Sequence, residues 1–455
     1  MNPPAAGPEA APERSRPRQL ALLSQRRFGP FFWTQFAGAA NDNLFKFAFT
    51  LLATYGLQVS WLPPALAGLV IGAVFILPFV LCSATSGQLA DKLEKSGLIR
   101  SVKNLELAIM ALAALGWLTG PPGLQAAVLL ACTFLMGLHS TLFGPVKYAL
   151  LPQVLQEDEL TAGNAMVEMG TFLAILLGNL AGGLLMALPG AGPQAVAAAC
   201  LLLALLGRLS AQAVPALPAT DPALELGWHP WRETARNLRL ARQDAVVFTA
   251  LLGISWLWFY GAVLLSQFPV LAKELLRGNE AVASLLLAVF SLGIAAGALL
   301  CGRLSRGGVD LGLVPLGGLG MTVFAVDLYL ACQALPPGAA WDLVGFLAQP
   351  PHWRVLADLG LLSASAGLFS VPLYALMQLR SPATHRARIV AANNILNALF
   401  MVASALLAGA LLAAGLGLAG LFLALALTNL AVLAGLCLRL PELLQRLARR
   451  WHDPA

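Results

Sequence analysis

Charge is scarce in this sequence: Asp, Glu, Lys and Arg fill 11% of its 455 positions, against about 25% in an ordinary soluble protein. With 58% hydrophobic residues and a mean hydropathy of +0.77, the chain has too few polar groups to cover a water-facing surface. Cysteine offers no framework either. Its six copies (Cys82, Cys132, Cys200, Cys301, Cys332, Cys437) stand singly inside apolar segments, without disulfide, metal or redox spacing. The five histidines lack the four-residue spacing to an aspartate that soluble-type acyltransferases use; His352 and Asp358 come nearest. No Ser-His-Asp grouping stands out, so an enzyme is not expected, and neither is a cofactor. The net charge of +6 would suggest nucleic acid in a soluble protein. Here its distribution reports topology, and no nucleic-acid partner is expected.

What the sequence does have is long apolar runs of spanning length, about 20 residues each. They favour helices over the alternating pattern of an outer-membrane barrel. Residues 1–27 are Pro-, Ala- and Arg-rich without the apolar core of a signal peptide, and read as a disordered basic tail. Twelve apolar segments follow, at 28–57, 63–90, 98–119, 123–150, 160–187, 192–213, 245–273, 281–303, 312–334, 357–379, 389–413 and 417–438. This divides the chain into the tail, a six-helix half over 28–213, a loop over 214–244, a second half over 245–438 and a tail over 439–455.

Basic residues gather on one side. Arg14, Arg16, Arg18, Arg26 and Arg27 precede the first segment, and Lys92, Lys95, Arg100 and Lys103 are placed between the second and third. Arg208, Arg232, Arg236, Arg239 and Arg242 flank the central loop; Arg303, Arg306, Arg380, Arg386 and Arg388 follow the eighth and tenth segments; Arg439, Arg446, Arg449 and Arg450 end the chain. The other side has Lys273, Arg277 and Arg354. The positive-inside rule therefore predicts that both termini are cytoplasmic. In the loop, Arg232, Arg236 and Arg239 share one face of a helix expected to lie on the anionic cytoplasmic leaflet, as an anchor or as a lipid-recruiting element.

The chain also repeats itself. Gly87-Gln88-Leu89-Ala90-Asp91 is echoed by Gly302-Arg303-Leu304-Ser305-Arg306, and Tyr148-Ala149-Leu150-Leu151 by Tyr374-Ala375-Leu376-Met377, each six segments later. An all-α membrane protein of twelve transmembrane helices in two six-helix halves matches the architecture of the major facilitator superfamily, whose site lies between the halves near the midplane.

Polar residues inside the apolar segments are the candidates for that site. Asn41, Asp42, Asn43 and Lys46 lie in the first segment. An intramembrane charge costs roughly 2.5–3.5 kcal/mol on insertion scales and normally faces the interior with a partner. Asp42 and Lys46 at i, i+4 form either a self-neutralised structural pair or part of a cavity wall. Lys147 follows the helix-loosening Pro145 and either snorkels to the surface or turns inward. Glu168 lies two turns into the fifth segment, so Asp42, Lys147 and Glu168 are expected to form one polar cluster in the N-terminal half, as a binding surface or a structural network. The second half offers Asp327, read as structural, and the uncharged Ser266, Gln267, Tyr374, Gln378, Asn393, Asn394 and Asn397. An aromatic stripe, Trp256, Trp258, Phe259 and Tyr260, serves packing or ligand contact. A polar half facing an aromatic one suits an amphiphile better than a sugar or an ion. Gly87 and Asp91 are candidate gating residues, with Asp91 latching against a neighbouring helix N-terminus.

At Asn41-Asp42-Asn43, Phe143-Gly144-Pro145-Val146-Lys147-Tyr148-Ala149-Leu150-Leu151-Pro152 and Gly163-Asn164 through Gly170-Thr171, the chain resembles the bacterial lysophospholipid transporters. Ser255-Trp256-Leu257-Trp258-Phe259-Tyr260-Gly261-Ala262 and Gln267-Phe268-Pro269 look closer to the form fused ahead of an acyltransferase and acyl-carrier-protein synthetase. The likeness spans roughly 28–438, and departs from the superfamily loop motif at Glu94, where a glycine is usual. The resemblance implies inward flipping of lysophospholipids, mainly lysophosphatidylethanolamine, across the bacterial inner membrane for reacylation. It makes Asp42 a substrate-site position. Since nothing before residue 455 encodes the acyltransferase, that partner is expected to be separate. The rival readings are a cation-coupled multidrug exporter, in which Asp42 and Glu168 carry protons, and a substrate-sensing receptor on the same fold.

Overall fold

A computed structural model describes residues 19–57, 59–305, 308–335 and 340–452. Twelve long helices account for the twelve apolar segments: α1 (Gly29–Leu51), α2 (Pro64–Lys92), α3 (Lys95–Leu118), α4 (Pro122–Val154), α5 (Leu160–Met186) and α6 (Gly192–Gln212), then, beyond the linker helix α7 (Pro230–Arg242), α8 (Ala245–Val270), α9 (Glu280–Leu304) and α10 (Leu313–Gln333). The short α11 (Leu343–Leu347) precedes α12 (Pro350–Arg380), α13 (Arg386–Ala413), α14 (Leu418–Arg439) and the terminal α15 (Glu442–His452). The sequence dictates many of the starts. Pro30, Pro64, Pro122, Pro193, Pro230 and Pro350 sit in first turns, where the missing N–H has no intrahelical partner to lose. Asp244 and Asn279 cap α8 and α9 by accepting from two backbone N–H groups each.

Ten of these helices are long and apolar enough to cross a membrane; α1 and α3, which carry buried polar groups, are not among them. Leu69, Leu115, Leu184, Leu406 and Leu438 are all more than half exposed. Leucines turned outward all round the bundle suit a surface solvated by lipid. The chain is a multi-pass membrane protein.

Two departures from the sequence reading concern the ends of elements. Of the basic tail expected over 1–27, residues 1–18 lie outside the described residues, Arg14, Arg16 and Arg18 among them; Arg306 lies outside them too. Gln19–Ser24 are ordered as a 3-10 helix. Gln19 donates to the Leu299 carbonyl at 3.0 Å, and Arg27 pairs with Glu159, the residue just before α5. The tenth segment begins at Pro350, two turns before residue 357, because the ring of His352 stacks on Phe346 and Trp353 donates to the Leu347 carbonyl at 2.9 Å.

In the first half α1 packs against α5 and α6, α2 against α4, and α3 against α4 and α6; in the second, α12 packs against α9 and α10, and α8 against α13. The halves meet along α2 with α13 and α5 with α9. Close approach needs small residues: a Cβ on Gly182 of α5 would lie 2.8 Å from the Leu44 carbonyl oxygen of α1. Twelve alternating helices put the start of α1, the end of α14 and the α6–α8 linker at one face, here the termini face, opposite the far face.

The linker is stitched to the termini ends of α2 and α3. Glu94, the departure from the loop motif, caps α3 by accepting from Ser96 and Gly97 N–H, and accepts the Leu217 N–H of the linker at 2.8 Å. Burial alone would raise its carboxyl, but those hydrogen bonds outweigh it and hold the group below its ordinary range.

Candidate functional site between the halves

Helix geometry sets the depth of each polar residue, at about 1.5 Å per residue from the termini end of its helix. Lys147 is seven residues from the end of α4, Glu168 eight into α5, Tyr374 six from the end of α12, and Asn393 seven into α13. All four therefore share one level, about 10 Å below the termini face, and four helices from both halves supply them.

At this level Lys147 turns inward and does not snorkel. Its ammonium donates to the Thr171 hydroxyl at 2.9 Å, and Thr171 donates to Gln35 Oε1 of α1 at 3.2 Å. Glu168, one turn before Thr171 on the same face of α5, is buried and faces Lys147 and the Ser370 hydroxyl of α12. Tyr148 and Tyr374, the two tyrosines that the internal repeat relates, stack across the interface with ring centroids 4.5 Å apart and planes 6° apart. Trp258 of α8 donates to the Tyr374 hydroxyl at 3.1 Å. Asn393 is fully buried beside Tyr374, and the Asn397 amide donates to the Ser255 hydroxyl at 2.8 Å. Two amide nitrogens here, Gln35 Nε2 and Asn394 Nδ2, are buried without a hydrogen-bond acceptor among the described residues. With Lys147 they make a set of donors suited to an anionic oxygen group.

Nearer the termini face the halves are closed in two steps. Asn164 of α5 and Gln378 of α12 exchange hydrogen bonds at 2.7 and 3.0 Å. At the face itself Asp91 of α2 accepts from the backbone N–H of Ala387 and Arg388, in the first turn of α13, at 3.1 and 3.3 Å. It also accepts from Arg388 Nε at 3.0 Å, and Arg388 reaches Asp221 of the linker at 3.0 Å. An acid on a helix N-terminus is favoured by the exposed N–H groups and the helix dipole. Gly87 permits the approach: a Cβ there would lie 2.6 Å from the Ala391 Cβ of α13.

Asp42 does not join Lys147 and Glu168, which corrects the expected single cluster. It sits thirteen residues into α1, about 20 Å below the face, and accepts from Ser140 of α4 at 2.5 Å. Ser140 precedes Lys147 by seven residues on α4, again about 10 Å along the axis. Nor do Asp42 and Lys46 form an ion pair among the described residues; the Lys46 ammonium lies 3.8 Å from the Phe75 ring centroid of α2. Asn43 donates to the Ala39 carbonyl of its own helix at 2.8 Å. Gln267 lies half-buried near the far end of α8, donating to Ser266 at 3.1 Å, away from the Lys147 level. Asp327 faces outward from the bundle and pairs there with Arg354.

The group that sequence reasoning missed is Glu106 of α3, fully buried. It accepts from Asn41 at 2.8 Å and from Lys103 at 2.7 Å, with His139 Nε2 at 3.3 Å. Lys103, placed by sequence in a surface connection, is likewise fully buried inside α3, and so is Lys95 at its start. The i, i+3 spacing of Lys103 and Glu106 inside an apolar segment is the signal that marks them.

A family model described as the Major Facilitator Superfamily matches residues 31–347. Among curated relatives, the lysophospholipid transporter LplT of Pectobacterium carotovorum subsp. carotovorum (strain PC1) is 28% identical over 369 residues, covering 80% of each chain. LplT of Serratia proteamaculans (strain 568) is 26% identical, covering 80% of this chain and 82% of its own. Among solved structures, the human organic anion transporter MFSD10 superposes with a TM-score of 0.68 at 16% identity, over 90% of this chain and 99% of the other. A bacterial homologue of the iron transporter ferroportin, in an outward-facing state, superposes with a TM-score of 0.64 at 15% identity, over 92% and 99%.

Proposed function

The chain belongs to the Major Facilitator Superfamily, and from that premise we propose that it transports lysophospholipids, lysophosphatidylethanolamine first among them, inward across the bacterial inner membrane for reacylation. The likeness to the LplT proteins over four-fifths of the chain supports the substrate class. The observation that carries the proposal is the level shared by Lys147 and Glu168. A cation with two amide donors beside it and an acid facing it make a match for a head group that carries a phosphate and an ammonium. Lys147, Gln35 and Asn394 take the phosphate; Glu168, with Tyr374 and Asn393 around it, takes the ammonium. Asp42, held by Ser140, shapes the wall of the first half farther from the termini face.

With both termini cytoplasmic, the Asp91–Arg388 clasp closes the cytoplasmic side and the head group enters from the periplasm. Its acyl chain lies sideways toward lipid, past α1, α5 and α8. Rocking of the halves about the stacked tyrosines, with release of the clasp, then carries the head group inward. A separate acyltransferase/acyl-ACP synthetase consumes the product.

The test compares initial uptake of lysophosphatidylethanolamine and lysophosphatidylglycerol into proteoliposomes. Glu168→Gln loses the first, which bears an ammonium, far more than the second, which bears none. Equal loss of both makes Glu168 a helix-packing residue and removes its head-group role. A protein that moves cationic drugs and neither lysolipid is an exporter of another class.

A further inference from the structure

The linker helix α7 presents two unlike faces. Inward, Asn237 and Ala241 are fully buried. Glu233 accepts from Gln88 Nε2 at 2.8 Å, and Gln88 Oε1 accepts from the Gly227 N–H at 2.7 Å. Gln88 stands next to Gly87, on which α13 closes, and one turn before Asp91 of the clasp. Lys92 donates to the Leu224 carbonyl at 2.8 Å, and the Asp91 carbonyl accepts the N–H groups of Thr220 and Asp221. The inner face of the linker is thus fastened along the last turn of α2.

Outward, Trp228 and Trp231 are 70% and 60% exposed. Arg232, Arg236, Arg239 and Arg242 follow at helical spacing, all exposed, while Glu233 is turned inward. The outer face is therefore cationic along its length and carries two bare indoles at one end. An indole left in water forfeits the burial its large apolar surface would give. At the head-group level of a bilayer the same ring is stabilised, and guanidinium groups find phosphates. Two tryptophans set at one end of a row of exposed arginines make a poor core for a protein interface, which needs a desolvated centre. Charge and aromatic content together select an anionic lipid surface.

We propose that the outer face of α7 docks on anionic phospholipid head groups of the leaflet at the termini face, and that Gln88 passes this docking to the Asp91–Arg388 clasp. The lipid holds α7 where Glu233 engages Gln88, and the clasp is closed more of the time. This rests on the chain's being a membrane protein and is independent of the transported substrate.

The experiment uses the full chain in nanodiscs of phosphatidylcholine, alone or mixed with phosphatidylglycerol, with bromine on the acyl chains of one lipid at a time. The fluorescence lost in Trp228→Phe/Trp231→Phe reports those two rings. Brominated phosphatidylglycerol should quench that component more than brominated phosphatidylcholine. Arg232→Gln/Arg236→Gln/Arg239→Gln should erase the excess, each arginine being worth about five-fold in preference. Equal quenching by both lipids refutes anionic selectivity, and quenching by neither puts the rings in water or under a protein partner and refutes docking. Hydrogen exchange reads the second part. Amide protection over residues 384–388 should rise with phosphatidylglycerol in the parent chain and stay flat in Gln88→Ala. Protection that ignores the lipid, or rises equally in Gln88→Ala, refutes the connection to the clasp.

Discussion

Removing the charge of Glu106 leaves an ammonium stranded in the bundle. The Lys103 side chain is fully buried, and among the described residues Glu106 is the only acid within ion-pair distance of it. Glu106→Gln keeps the volume and one acceptor for Asn41 but cannot balance Lys103. Breaking a buried pair by neutralising one partner costs about 3–5 kcal/mol. Lys103→Met strands the carboxylate instead, although Asn41 and His139 still face it, so its cost falls at the lower end of that range. Replacing both partners removes the two charges together and is close to neutral, about 0–2 kcal/mol, since replacement of a buried pair by neutral groups of similar volume is often neutral. The cycle therefore predicts a coupling of about 4 kcal/mol or more. The measurement is the apparent melting temperature in detergent, read as the monodisperse fraction after heating, for the parent, both single variants and the double variant. Both singles should melt well below the parent, and the double should recover most of the loss. A double variant that melts at the sum of the two single losses would refute the argument that these groups hold α3 by compensating one another.

Other outcomes follow from the level between the halves and from the termini face. Lys147→Ala should weaken uptake of every phosphate-bearing lysolipid at least ten-fold, about the 1.5–3 kcal/mol of a charged hydrogen bond, with Lys147→Arg restoring part of it; unchanged uptake in the alanine variant removes the phosphate role. Asp42→Asn should lower uptake while expression and melting temperature stay near the parent's, because Ser140 can still donate to the amide oxygen; full transport would make the acid purely structural. Asp91→Asn and Gly87→Val should both open the termini face, the first by weakening the tie to Arg388 and the second by wedging α2 off α13. Faster alkylation of Ala391→Cys in either background is the readout, and unchanged rates would refute the latch. Glu94 titrates below its ordinary value of 4.5 when folded, so its contribution is complete above that value and disappears as pH falls through the depressed one. Acid should therefore lower the melting temperature of the parent through this group, and Glu94→Gln should flatten that part of the profile.

Much of the fold is written in local pattern. Each spanning segment is legible because hydropathy over about 20 residues is a property of the segment itself, and prolines and capping residues mark several of the starts. The amphipathic linker helix is visible for the same reason: Arg232, Arg236 and Arg239 recur at the helical period whatever they touch. The start of α12 is not legible in the sequence, because Pro350–Leu356 is polar enough to pass for a loop. Its helical state depends on His352 and Trp353 packing against α11, which sequence spacing does not report.

Depth and direction around a helix axis are where sequence reasoning stops. Asp42, Lys147 and Glu168 each stand out as charges in apolar segments, but whether they meet depends on how far along its own axis each lies, and on which neighbour that axis runs beside. The tertiary structure puts Lys147 and Glu168 on one level with Tyr374 and Asn393, and sets Asp42 two turns deeper against Ser140. It likewise converts Lys103 from an apparent surface charge into the partner of Glu106, because α3 begins early and its polar edge is pressed onto α1 and α4. The sequence by itself determined that the chain lies in a membrane as two related sets of six helices. Which of its few charges neutralise one another, and which are left facing the cleft between the halves, was decided only by packing, since a charge in a low-dielectric interior is compensated by whatever side chain the neighbouring helix brings within reach.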